Sequence, residues 1–228
     1  MILFFARLPV ALIWVLALAA CTPQQALISA LIPDGTASVL LGHLQGVEDG
    51  NRRRIVELEQ QGAWRELAAF ADSNIGRDPF SPEWRMIGGY AQARLGEHKR
   101  AATYFAEMVR LSPDDPAGYH FLAEAQRAAG QPLLALKTLD RALLVLRDSP
   151  LTHQLAGEAN SDLGRFREAA ESYRRALRDA PGMAVAWFGL GRAALQLGRK
   201  DDVQEALAAL DRLQSPYAET LRGLMTGS

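Results

Sequence analysis

Cysteine is almost missing from this sequence: among 228 residues only Cys21 carries a thiol, which excludes an intramolecular disulfide. Histidine is nearly as scarce. His43, His98, His120 and His153 form no His-Glu-x-x-His pattern and no EF-hand spacing accompanies them, so no metal site can be read. Neither sign of charge is in excess, with 25 Lys and Arg against 26 Asp and Glu, which argues against the strongly basic face that holds nucleic acid. Aromatic residues are only 7% of the chain although 49% is hydrophobic. The apolar stock is mostly alanine and leucine, suited to close helix packing, and no β-rich segment stands out.

Reactive constellations are missing as well. The carboxylate pairs Asp114-Asp115 and Asp201-Asp202 fall at expected turns, where acidic residues open helices. Neither pair has a partner with which to do acid-base work, and no phosphate-binding glycine loop occurs. The sequence therefore reads as a non-enzyme without a cofactor.

What is present is a repeat. From Pro150 to Gly182, Leu155, Ala156, Ala159 and Leu163 recur at helical spacing and stop at Gly164. A second helical pattern then carries Phe166, Ala169, Ala170, Tyr173, Ala176 and Leu177 up to Pro181. The unit predicts a helical hairpin with small residues where the helices meet. Gly62, Gly96, Gly130, Gly164 and Gly198 stand at a constant interval of 34 residues. Five positions after them come Leu67, Ala101, Ala135, Ala169 and Val203; nine after, Ala71, Phe105, Leu139, Tyr173 and Leu207; twelve after, Asn74, Met108, Ala142, Ala176 and Leu210. Seventeen after come Pro79, Pro113, Arg147, Pro181 and Ser215, with Pro216 one place late. This order of small, large and small residues followed by proline is what a packed second helix and its exit require.

The pattern resembles the tetratricopeptide repeat, whose period is 34. In the last repeat it falls on Trp187, Leu190, Gly191, Ala194 and Leu207; in the third on Tyr119, Leu122, Ala123, Ala135, Leu139 and Ala142; in the fourth on Gly157, Ala169, Tyr173, Ala176 and Pro181. The first repeat fits least, with Arg52, Arg53 and Arg54 where apolar residues are usual. That run, near Glu48, Asp49, Glu57 and Glu59, suits either a solvated helix face or contact with anionic lipid.

The resemblance implies an all-α fold: a right-handed superhelical solenoid of antiparallel helix pairs, about five hairpins over 47–215, with a C-terminal capping helix and tail over 216–228. Tyr217, Leu221, Leu224 and Met225 are the residues expected to cover the last hairpin. It also implies that the first helix of each hairpin lines a peptide-binding groove. Carried over, those positions are Met86, Tyr90 and Arg94; His120, Glu124 and Arg127; Gln154, Glu158 and Asp162; and Phe188, Arg192 and Gln196. Arg94 and Arg127, from adjacent repeats, are expected to grip a carboxylate or carbonyl, with Tyr90 and Phe188 as apolar anchors. The family's clamp for acidic C-termini is absent, since Arg52, Val56, Ile87, Ala117 and Phe121 occupy its places.

The N-terminus is a different material. Arg7 precedes 13 uncharged residues, Leu8 to Ala20, too few to span a bilayer comfortably and the right number for a signal peptide over 1–20. Leu18-Ala19-Ala20-Cys21 resembles a bacterial lipobox, which implies that Cys21 is the acylated N-terminus of a lipoprotein. With Thr22 and Pro23 following, the resemblance points to the periplasmic leaflet of the outer membrane. Residues 21–46 form a tether with two short amphipathic patterns, around Leu27 to Ile32 and Val39 to Leu44. Three roles stay open for it: a cap on the first repeat, an interfacial helix, or a partner-binding segment.

These readings converge on a membrane-anchored scaffold that binds other proteins in a bacterial envelope assembly. The alternative is a regulator or accessory subunit of a cell-wall enzyme, or of a polysaccharide export or pilus secretion system. That alternative acts through the convex face, where Arg174 and Arg178 would matter.

Overall fold

The computed structural model describes residues 47–146 and 149–226. The signal peptide, Cys21, the tether over 21–46 and Arg147 lie outside the described residues. Among those described, eleven helices and no strand occur: α1 (Asp49–Gln60), α2 (Trp64–Arg77), α3 (Pro82–Arg94), α4 (His98–Leu111), α5 (Pro116–Ala128), α6 (Pro132–Leu146), α7 (Pro150–Asp162), α8 (Phe166–Asp179), α9 (Ala184–Gln196), α10 (Lys200–Arg212) and α11 (Tyr217–Thr226). Ten of them pair as five antiparallel hairpins, each packing on the next, and the expected solenoid is what forms.

Local chemistry sets the period. All five register glycines adopt positive φ, between 65° and 76°, a region where a Cβ is penalised. Each closes a Schellman turn. At the first, the Gly62 N–H donates to Glu59 O and the Ala63 N–H to Leu58 O; the fourth repeats this with Gly164 to Ser161 O and Arg165 to Asn160 O. Ser81, Asp115 and Ser149 cap the first helices of repeats two to four, each followed by proline at the first helical position. Between repeats, Asp78, Ser112 and Ala180 leave the helical region and hand the chain to Pro79, Pro113 and Pro181.

Packing follows the same register. Five places after the glycines, Leu67, Ala101, Ala135, Ala169 and Val203 are all buried, and the larger Phe105, Leu139 and Tyr173 fill the spaces nine places after. The second helices bury one stripe and keep a charged outer face. The first helices form the inner layer, enclosed on more than one side: in α7, Leu151 to Leu155 are consecutively buried. That enclosure decides which groove positions reach solvent.

The C-terminal connection departs from the pattern. Gln214 takes φ 50°, Ser215 N–H donates to Leu210 O, and α10 thus ends in the turn that glycine makes inside the hairpins. α11 then packs on α9 and α10 through Ala218 and Leu221. Leu224 and Met225 do not share in that cover, being 49% and 39% exposed. They stand a turn beyond Leu221.

Candidate functional site

Because the repeat is 34 residues long, equivalent first-helix positions line up from one hairpin to the next. His120, Gln154 and Phe188 form one such row; Glu124, Glu158 and Arg192 form another. The helices α5, α7 and α9 bring part of this array around a single groove of about 640 Å³. Eight of the twelve expected groove residues border it: His120, Glu124, Arg127, Glu158, Asp162, Phe188, Arg192 and Gln196. Met86, Tyr90, Arg94 and Gln154 do not.

The physical reasons differ. Met86 and Gln154 are buried within the inner layer. Tyr90 is buried as well, its hydroxyl donating to Glu59 Oε1 at 2.8 Å and accepting from Arg94 Nη1 at 3.1 Å. Burial, then the Glu59 carboxylate, push the Tyr90 hydroxyl's pKa up. It is a structural hydroxyl and not the exposed anchor expected. The Arg94 guanidinium lies 4.1 Å from the centre of the Trp64 ring, stacked as a cation on an aromatic face.

Arg127 corrects the expected carboxylate grip. Its guanidinium pairs with Glu124 at 2.6 Å, Glu158 at 3.2 Å and Asp162 at 3.1 Å. Burial disfavours that charge, but the hydrogen bond and field of Glu124, with Glu158 and Asp162 behind them, outweigh it and hold Arg127 more firmly protonated. Desolvation also raises the pKa of Glu158, only partly offset by Arg127, and the neighbouring Glu124 and Asp162 raise it further. Three carboxylates therefore share one cation. Arg94 and Arg127 form no joint anion clamp, since one is stacked on Trp64 and the other is saturated.

His120 is 5% exposed, and its Nε2 lies 2.8 Å from Thr152 Oγ1. Its Nδ1 has no hydrogen-bond partner among the described residues. Desolvation lowers its pKa to about 4, so the ring is neutral near pH 7. On the opposite wall Phe188 stacks on Tyr217 of α11, ring centres 4.9 Å apart, and Arg192 lies 5.7 Å from the Phe188 ring centre.

Several groove residues lie outside the first helices and were not among those expected. Tyr173 and Phe166 come from α8, and Tyr217 and Leu224 from α11. Tyr173 reaches the groove because Gly157 and Gly189 leave room for its ring; those two glycines are the signal the sequence held. On the convex side, Arg174 pairs with Asp202 at 2.6 Å and Arg178 with Asp179 at 3.8 Å. Among the described residues no group is placed to hold a metal ion, and no helix is long and apolar enough to cross a membrane.

The profile of a tetratricopeptide repeat family matches residues 61–116 and 155–219, together more than half of the chain. Solved structures share the fold. A thermophilic tetratricopeptide repeat protein from Thermus thermophilus, TTC0263, is 24% identical, with a TM-score of 0.60 over 79% of this chain and 98% of that one. MamA from Desulfovibrio magneticus RS-1 is 21% identical, with a TM-score of 0.59 over 72% of this chain and 91% of that one. YrrB, a repeat protein with an unusual peptide-binding site, is 18% identical, with a TM-score of 0.57 over 82% of this chain and 97% of that one. No curated protein sequence matches significantly.

Proposed function

Since the chain belongs to the tetratricopeptide repeat family, we propose that it is a scaffold that performs no reaction itself and holds a peptide or helix of a partner protein in the groove between α5, α7, α9 and α11. One observation carries this reading: side chains from three successive repeats and the last helix converge on one concave site with both charged and aromatic walls. Such a surface can fix an extended segment at several points. YrrB supports a peptide as the occupant by likeness of fold alone.

The lipobox-like Leu18-Ala19-Ala20-Cys21 extends the proposal. Acyl chains on Cys21 tether the solenoid to a bacterial envelope membrane, facing the periplasm at the outer membrane, where the groove serves an envelope assembly. Two or more chains suffice for stable anchoring.

Photo-crosslinking tests the groove. A crosslinker replacing Gln196 is expected to trap a partner in native envelopes, whereas one replacing Arg174 traps none. The reverse result would favour the regulator acting through the convex face. Metabolic labelling with alkyne-palmitate is expected to mark the wild type and not Cys21→Ser; label in neither rules out the anchor.

A further inference from the structure

We infer that the groove recognises its partner through a lysine or arginine side chain, which enters beside Glu124, Glu158 and Asp162 while an adjacent apolar residue rests against Phe188. This rests on the groove reading above and adds the chemistry of what is held.

The charge balance is the first support. Among the described residues Glu124, Glu158 and Asp162 pair with Arg127 alone, leaving an excess of negative charge at that end. Arg192 is the other cation bordering the groove, and it lies over Phe188 with no carboxylate within ion-pair distance among the described residues. Counting both arginines, the carboxylates still outnumber the cations. A carboxylate ligand would approach three like charges, with the guanidinium between them already taken. A second cation would be shared among acceptors that one arginine cannot saturate.

The second support is independent of charge. His120, buried and bordering the same groove, has an Nδ1 without a partner among the described residues. In the tautomer whose Nε2–H donates to Thr152, Nδ1 is an acceptor, and leaving a buried acceptor unmet is costly. A lysine ammonium or a guanidinium brings more N–H donors than the carboxylates require. The deeper Gln154 donates its Nε2 to Glu158 and leaves its own Oε1 unmet, so this region holds spare acceptors. Desolvation, and after it the field of Glu124 and Asp162, favour a proton on Glu158; an arriving cation would oppose the second of these.

The apolar half of the recognition comes from Phe188 and Tyr217, stacked and half-buried on the facing wall. A residue next to the cation, aliphatic or aromatic, would find contact there without displacing a charged group.

Selection from a random peptide display library by the full-length protein tests this. The expected outcome is enrichment of sequences pairing Lys or Arg with an adjacent Leu, Ile, Phe or Trp. Synthetic versions are expected to bind about tenfold more weakly when the basic residue becomes norleucine. They should weaken similarly on Glu158→Gln with Asp162→Asn, and lose affinity as salt rises. Asp162→Asn alone, at an exposed position, serves if the double variant fails to fold by circular dichroism. Enrichment of acidic or uncharged peptides, or basic peptides held equally by the variants, overturns the inference and leaves the groove reading standing. No enrichment of any class overturns both.

Discussion

The ring of Tyr173 fills the space that a side chain at Gly189 would need: a Cβ built there would overlap the ring at Cζ. A Cβ built at Gly157, in the preceding repeat, would lie 2.7 Å from the same ring. A phenol gripped by two backbones has no free end to swing away. Gly189→Ala is therefore expected to destabilise the protein by about 1–3 kcal/mol through overpacking, a melting shift of roughly 2–4 °C per kcal/mol for a chain this long. Gly76→Ala, in a helix with nothing within 4 Å of the added methyl, should instead stabilise by about 0.5–1 kcal/mol. Equal melting temperatures for the two variants would contradict the slot.

Gln214 holds a conformation that the other Schellman turns assign to glycine, with φ 50°. Gln214→Gly removes the left-handed cost of roughly 1–2 kcal/mol while adding unfolded-chain entropy, for a net gain of about 0.5–1 kcal/mol. Gly198→Ala introduces that same cost and should lose about 1 kcal/mol. Urea unfolding of both variants, read by circular dichroism, checks the opposed signs.

A buried and a half-buried group titrate in opposite senses. Desolvation lowers the His120 pKa to about 4 against an ordinary 6.5, so its contribution is fully present above pH 6.5 and is lost as the pH falls through 4. Desolvation raises the Glu158 pKa above the ordinary 4.5, so its contribution is fully present below pH 4.5 and is lost as the pH rises beyond it. Between pH 4.5 and 6.5 the slopes oppose, and wild-type stability should vary little on their account. Glu158→Gln removes one of them: its stability is expected to climb from pH 4 to 6.5 more steeply than that of the wild type. Denaturant midpoints across that range decide it, and parallel curves for the two proteins would refute the opposition.

Ala169 is completely enclosed where α7 and α8 meet. Ala169→Arg forces a long charged side chain into that contact, and several kcal/mol of destabilisation are expected from overpacking and an unpaired buried charge. Thermal melts indistinguishable from wild type would place this residue elsewhere in the hairpin.

The repeat is legible in the sequence because its constraints are local. A positive φ favours glycine at Gly62 or Gly164 whatever the rest of the chain does, and a proline after the second helix announces the next hairpin. The groove is legible only in part. Position within the repeat places Glu124, Glu158 and Arg192 in one row, yet whether Arg127 is free or paired depends on which residues stand beside it one hairpin away. The place of Tyr90 in the repeat suits an anchor, but burial joins its hydroxyl to Glu59 instead. The contributions of Tyr173 and Tyr217 come from a second helix and the terminal one, where a rule about first helices does not look. The N-terminal readings, Cys21 included, rest on the sequence alone.

The inner helices, packed from more than one side, have a consequence for affinity. A side chain such as His120 is already held by packing and by Thr152 before anything arrives, so the receptor surrenders little disorder on complex formation. Most of the entropic penalty falls on the incoming chain, and a stiff segment should be retained longer than a floppy one of identical sequence chemistry.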